Sequence, residues 1–200
     1  MAKYVVYLVD DDIEFLDALS LLLESSGWKT LSFSNAKTFL NGYPPSEPCI
    51  VLLDAKMAPM SGIDVLEEIL KKRNSDPIIF LTGHGDIDLA VYVLTHGASD
   101  FIQKPITPEK LFRTLANAEN KIEEVAKKNL ELYRELAWNT LTEQELNILT
   151  KLSLGLTNQQ IAEIYGISSR TVETHKFRAM QKLKLHKGTE LLSYLIHRKK

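Results

Sequence analysis

Short apolar runs alternate with amphipathic stretches over the first 118 residues. The runs are YVVYLV (4–9), WKTLSF (28–33), CIVLLD (49–54), PIIFLT (77–82) and SDFIQ (99–103). Between them, apolar residues recur at helical spacing: Phe15, Leu19, Leu22 and Leu23; Phe39 and Leu40; Val65, Leu66, Ile69 and Leu70; Leu89, Val93 and Leu94; Leu111, Phe112 and Leu115. Five strands alternating with five helices predict an α/β domain, a doubly wound, five-stranded parallel sheet with helices on both faces. The near-continuous apolar character of the runs predicts strands buried on both sides. The segment NGYPPSEP (41–48) reads as a loop before the third strand.

Residues 119–137, ENKIEEVAKKNLELYRELA, contain no Gly or Pro and are rich in helix formers. They predict a helical linker that continues the fifth helix. From Trp138 onward the strand pattern stops. Four helices are expected, at about 142–154, 158–165, 169–184 and 188–197, with breaks at SLGLTN and YGIS. The expected domains are therefore 1–118, the linker 119–137, and an all-α domain 138–200.

Charge sharpens this division. The net charge of −2 hides 14 basic and 21 acidic side chains in residues 1–138, and 10 basic and 5 acidic ones in 139–200. An acidic module joined to a basic one points to nucleic acid as a partner of the second. No apolar run approaches the roughly 18 residues of a membrane span, and no signal peptide is visible at the N-terminus. The single cysteine, Cys49, leaves no internal disulfide to form. A reducing cytoplasm is the expected location.

In a parallel alternating sheet the carboxyl ends of the strands share one edge, where ligands bind. The first strand brings Asp10 and Asp11 to that edge, with Asp12 just beyond; the third brings Asp54, the fourth Thr82, and the fifth leads to Lys104 and Pro105. Three converging carboxylates repel unless a cation sits among them, and a few oxygen ligands with room for water suit Mg²⁺. Lys104 and Thr82 offer a point charge and a hydroxyl donor to phosphoryl oxygens. A carboxylate can itself be the nucleophile and become an aspartyl phosphate, and Asp54 is the candidate. Taken singly these residues are ordinary. Asp12 before an amphipathic helix is a natural N-cap, Thr82 a turn residue, and Lys104 a solvated charge. Their arrival together at four strand ends favours a metal and phosphate site.

In order and spacing, VDDD, LLDAKMAPMSG, LTGHGD and DFIQKP are similar to the motifs of the receiver domain of bacterial two-component response regulators. The resemblance covers residues 1–118. It implies Asp54 as phosphoacceptor, Asp11 as a direct metal ligand, and Asp10 as one acting through water. The backbone carbonyl of Lys56 would be the third protein ligand. It implies Thr82 and Lys104 as the phosphoryl-binding pair, Phe101 as an aromatic switch, and a cis peptide bond between Lys104 and Pro105. The family's usual proline four residues after the phosphoacceptor is Ala58 here, with Pro59 next. That departure puts the shape of the loop in question, not the site.

Residues 141–192 resemble the LuxR-type helix-turn-helix, the output domain of the NarL/FixJ group of response regulators. Ile161, Ala162 and Ile164 would form the inner face of a short helix; Gly166 permits a tight turn, Ile167 plugs the core, and Ser168 or Ser169 caps the next helix. On that helix Val172, Met180 and Leu183 can face inward. Residues 170–187 carry Arg170, Lys176, Arg178, Lys182, Lys184 and Lys187 against Glu173 alone. Such a run is commonly a solvated face; on the second helix of this unit it fits phosphates along a major groove. By family position, Glu173, Thr174 and Phe177 would reach base edges. Thr171, Lys176, Arg178 and Lys182, with Asn158 and Gln159, would contact the backbone. His175 reads as a helix-face residue supporting the fold. Gln144 stands where the family usually has Arg.

The implied function is a phosphorylation-dependent DNA-binding transcriptional regulator. A partner sensor histidine kinase would phosphorylate Asp54 with Mg²⁺, and homodimerisation would control binding to double-stranded promoter DNA. Two rivals are an aspartate-based phosphohydrolase on the same pocket and a binding protein with a vestigial receiver. Lys56 stands where a phosphohydrolase would want a second carboxylate, and the intact Asp10, Asp11, Asp54, Thr82 and Lys104 disfavour the vestigial one. Leu115, Ala118, Ile122, Val125, Asn129, Leu132 and Leu136 follow at steps of 3 and 4, the a/d spacing of a coiled coil with Asn129 at an a position. Leu115 and Ala118 are expected to pack on the receiver sheet instead, which leaves about two heptads for a weak parallel pairing.

Overall fold

In a computed structural model, residues 2–43, 47–72, 75–83 and 87–198 are described. His84, Gly85 and Asp86 of the LTGHGD motif, and residues 44–46 of the expected loop, lie outside them. The chain divides into two compact units, residues 1–126 and 127–200.

The first unit runs β1 (Val5–Val9), α1 (Ile13–Ser25), β2 (Lys29–Phe33), α2 (Ala36–Gly42), β3 (Cys49–Asp54), α3 (Gly62–Lys72), β4 (Ile78–Thr82), α4 (Ile87–Thr95), β5 (Asp100–Gln103), and α5 (Pro108–Trp138), whose C-terminal part enters the second unit. The five strands form one sheet in the order β2-β1-β3-β4-β5, with every neighbouring pair parallel. Strand residues alternate between faces. Cys49, Val51 and Leu53 of β3 join a core with Phe39 of α2, Leu66 of α3 and Val93 of α4. Ile50 and Leu52 join the opposite core with Leu19 of α1 and Leu115 of α5. The doubly wound fold expected from the apolar runs is thus observed.

Burial on both sides holds for β3 and β4 but not for β2. That strand pairs only with β1 in the sheet, and Leu31 is 48% exposed. An edge strand lacks a neighbour on one flank, and helices cover it incompletely. Asp12 caps α1 as expected, its carboxylate accepting from the Phe15 amide at 3.0 Å. Residues 119–137 continue α5 without a break. Leu115, Ala118 and Ile122 of the a/d stripe are buried in the sheet-facing core of this unit.

The second unit contains the end of α5 with α6 (Glu143–Ser153), α7 (Asn158–Tyr165), α8 (Ser169–Lys182) and α9 (Gly188–Arg198). Its core gathers Ala137, Leu149, Ile161, Val172, Ala179, Leu183 and Leu195, among others. Capping boxes start α6 (Thr142 with Glu145) and α7 (Thr157 with Gln160), and Ser168 caps α8. Gly166 ends α7 at φ +63°, the left-handed conformation in which a side chain is strained. Arg134 of α5 donates to the carbonyls of Leu183 (3.0 Å) and Lys184 (3.1 Å), so the last turns of α5 cap α8.

Two core expectations need correction. Ile164 is 53% exposed, and Ile167 is also more than a third exposed. The inward direction of α7 lies between Ile161 and Ala162. At about 100° per residue, Ile164 points well to the side of it. The turn after α7 leaves Ile167 at the rim, and Val172 fills the interior instead.

Candidate phosphoryl-acceptor pocket and nucleic-acid face

The strand order sets the first site. β2 lies on one side of β1 and β3 on the other, so connections leave this junction in opposite directions, the crevice where α/β sheets bind ligands. Val9 pairs with Leu53, so the next residues, Asp10 and Asp54, emerge side by side. Both are buried, as is Thr82 at the end of β4. Carboxylate oxygens of Asp10, Asp11 and Asp54 lie within 4.8 Å of one another.

Every carboxylate in the group is oriented. Lys104 Nζ donates to Asp10 Oδ2 and Asp54 Oδ1, both at 2.7 Å. The Asp12 amide donates to Asp10 Oδ1 (3.0 Å), the Lys56 amide to Asp54 Oδ2 (2.7 Å) and the Ala58 amide to Asp11 Oδ2 (3.3 Å). Thr82 anchors Lys104 from behind, its carbonyl accepting from the Lys104 amide at 2.7 Å. The Lys104–Pro105 bond is cis, and so is Ala58–Pro59. Burial pushes Asp10 above the usual carboxylate range, although Lys104 and the Asp12 amide pull it down. Burial pushes Lys104 down, but its bonds to Asp10 and Asp54 outweigh that and hold it above the ordinary lysine value. Phe101 is half-buried against the α3/α4 core, with Lys110 Nζ 5.3 Å from its ring centre.

Two contributors escaped the sequence pattern. A Cβ on Gly62 would stand 2.2 Å from the Asp54 carbonyl oxygen and 3.1 Å from Ala55 Cα. Only glycine lets the start of α3 approach the Asp54 backbone this closely. Its place in the quoted MSG stretch was visible; the contact was not. Phe15 was legible only as an apolar position, yet its ring centre lies 4.1 Å from Lys104 Nζ, a cation–π distance.

The second site is the exposed face of α8. Glu173, Thr174, Phe177 and Arg178 lie on it, and Phe177 is 58% exposed. Thr174 donates back to the Arg170 carbonyl at 2.9 Å. Thr171 shares the cap with Ser168 at 2.8 Å, and Gln159 is exposed on α7. Asn158 and Lys176 both donate to the Glu173 carboxylate. His175 is half-buried beside a cleft shared with Gln144, Asn147, Ile148 and Tyr165. Lys182 departs from expectation. Its ammonium donates to Glu145 Oε2 (2.7 Å) and the Thr140 carbonyl (3.1 Å), tying α8 to the start of α6. With its ammonium engaged by a buried carboxylate, Lys182 is set apart from the other basic residues of α8.

The response regulator receiver domain family matches residues 6–116, and the bacterial regulatory proteins of the luxR family match residues 139–195. The chain belongs to the response regulators. This regulator is 32% identical to the transcriptional regulatory protein FixJ of Bradyrhizobium diazoefficiens, over 94% of its own length and 92% of the relative's. It is 36% identical to the response regulator protein TmoT of Ectopseudomonas mendocina, over 94% and 86%. Among solved structures, the response regulator StyR aligns with TM-score 0.65 at 32% identity, covering 98% of this chain and all of that one. Full-length FixJ from B. japonicum aligns with TM-score 0.61 at 32% identity, covering 99% and 98%. The regulator therefore joins a receiver to a LuxR-type DNA-binding domain, the architecture of a phosphorylation-dependent transcriptional regulator. No helix among the described residues is long and apolar enough to cross a membrane.

Proposed function

We propose that Asp54 is the phosphoacceptor and that a partner sensor histidine kinase, acting in the cytoplasm, controls promoter binding through it. The observation that supports this most is the Lys104 ammonium held 2.7 Å from both Asp10 and Asp54 at the strand edge. In the transfer, an Asp54 oxygen attacks the phosphorus of the kinase phosphohistidine. The O–P bond forms as the P–N bond breaks, and the imidazole nitrogen leaves with the electron pair. Lys104 and the Thr82 hydroxyl hold phosphoryl oxygens.

The donor set fits Mg²⁺: Asp11, Asp54 and the Lys56 carbonyl would hold it directly and Asp10 through water, all hard oxygen donors, and the three carboxylates already lie together. An ion bound there would supply positive charge to offset the negative charge of the transferring group. The pocket serves one phosphoryl group per chain rather than turnover, since Lys56 stands where a phosphohydrolase would carry an acid.

Residues 1–118 are the receiver, 119–137 the linker and 138–200 the DNA-binding domain in this proposal. The phosphoryl charge, near −2, draws Thr82 toward it, and Phe101 follows. The face of α4, β5 and α5 then favours a homodimer; Val91 and Leu94 of α4 are exposed apolar residues. Pairing doubles the contacts to DNA. α8 lies in the major groove with Glu173, Thr174 and Phe177 toward bases. Thr171, Lys176, Arg178 and Gln159 lie toward phosphates.

Incubation with Mg²⁺ and a small phosphodonor is expected to add one phosphoryl group, read by intact mass. Asp54→Ala and metal chelation each abolish it. Labelling that survives Asp54→Ala overturns the assignment.

A further inference from the structure

Glu173 is the one acidic residue between Arg170 and Lys187. On a helix that approaches a polyanion, an unpaired carboxylate is repelled, and a free glutamate side chain samples several rotamers. Here it is neither unpaired nor free. Asn158 Nδ2, at the start of α7, donates to Glu173 Oε2 on α8. Lys176 Nζ lies 3.3 Å from Oε1 and 3.4 Å from Oε2. The carboxylate stays exposed to solvent while held from two sides.

The holder is itself rigidly mounted. Asn158 is the first residue of α7, directly after the Thr157 capping box, in which the Thr157 amide donates to Gln160 Oε1 at 2.9 Å. Ile161 and Val172 pack α7 against α8 in the core. The Asn158 amide thus sits at a set height beside α8. A carboxylate has about four lone-pair sites, so two donors leave acceptor capacity for a third. In a major groove, that third donor is a base amino group, cytosine N4 by the usual pairing.

We infer that Asn158 is a specificity-positioning residue: it touches no base, but orients Glu173 so that base choice at one operator position depends on it. The inference rests on the proposed docking of α8. It replaces a phosphate contact for Asn158, and the two make opposite forecasts. A phosphate contact contributes equally at every sequence, whereas a positioning residue acts at one base pair.

The test is selection from a random duplex library by the full chain treated with phosphodonor, followed by competition with single-base variants of the selected site. Glu173→Gln is expected to erase the preference at one position. Asn158→Ala is expected to weaken the preference at that same position by roughly three- to tenfold, the scale of one ordinary hydrogen bond, with other positions unchanged. The double variant should be no worse there than Glu173→Gln alone, because the two residues act as a unit. Uniform loss of affinity in Asn158→Ala, with all preferences intact, overturns the inference while leaving the docking standing. No change of preference in Glu173→Gln overturns the docking of that residue and the inference with it. Matching helical circular dichroism spectra and melting temperatures for the variants show that the fold is kept.

Discussion

Lys182 on α8 and Glu145 on α6 form an ion pair at 2.7 Å, with Glu145 only 3% exposed. The same carboxylate accepts from the Thr142 amide at 2.7 Å, completing the α6 capping box. One glutamate therefore caps its own helix and holds the far end of another. A buried carboxylate stripped of its cation keeps its desolvation cost.

Lys182→Met should therefore destabilise the DNA-binding unit by about 1.5–3 kcal/mol, the range for a charged hydrogen bond. Thermal melts read this. The pH dependence follows from Glu145. Burial pushes its carboxyl up, but Lys182 and the Thr142 donors outweigh that and hold it below the ordinary value of 4.5. A depressed carboxylate stabilises the fold fully above its unfolded pKa and loses that contribution as pH falls through the folded one. The gap between wild type and Lys182→Met should thus be constant near neutrality and narrow below about pH 4.5. A gap that widens with acid would refute the pairing.

Gly62→Ala should damage the phosphorylation pocket without touching a reacting group. Its Cβ would fall 2.2 Å from the Asp54 carbonyl oxygen, and backbone atoms cannot swing aside as a flexible side chain does. A loss of about 1–3 kcal/mol is expected from overpacking, with slower phosphoryl uptake at Asp54. Uptake at the wild-type rate in a folded variant would show that the strand end tolerates the shift.

The salt dependence of DNA binding separates two basic residues of one helix. Arg178→Ala should lower the slope of log affinity against log salt by about 0.9, one phosphate contact. Lys182→Ala should leave the slope unchanged, because its ammonium faces Glu145. A reduced slope in Lys182→Ala would place that charge on DNA after all.

Self-association should respond to Asn129→Val. Leu115, Ala118 and Ile122 are spent on the receiver core, which leaves Val125, Asn129, Leu132 and Leu136 of the stripe. Leu132 and Leu136 are 57% and 63% exposed. An Asn at an a position fixes register at a cost in stability. Replacing it should move dimerisation to lower protein concentration, seen by sedimentation across a dilution series. An unchanged or weaker dimer would exclude pairing through this stripe.

Much of this protein was legible before its structure. Apolar runs of five or six residues alternating with helical spacing suffice for a parallel α/β sheet, because both periods are local properties of the chain. Once the sheet is parallel, strand ends share an edge, so Asp10, Asp54, Thr82 and Lys104 meet without further information. The caps at Asp12 and Ser168 were equally local. What only the tertiary structure decided depends on which distant segments face each other. β2 is exposed because it lies at the sheet's edge, which no property of WKTLSF encodes. Ile164 turns outward because the direction of the α7 core is set by α8. Gly62 matters because α3 starts against Asp54. Lys182 reads as one more cation in a basic run until Glu145, 37 residues earlier, is found beside it. Periodicity reports which face of an element is apolar; it carries no record of the neighbour that face or charge will meet.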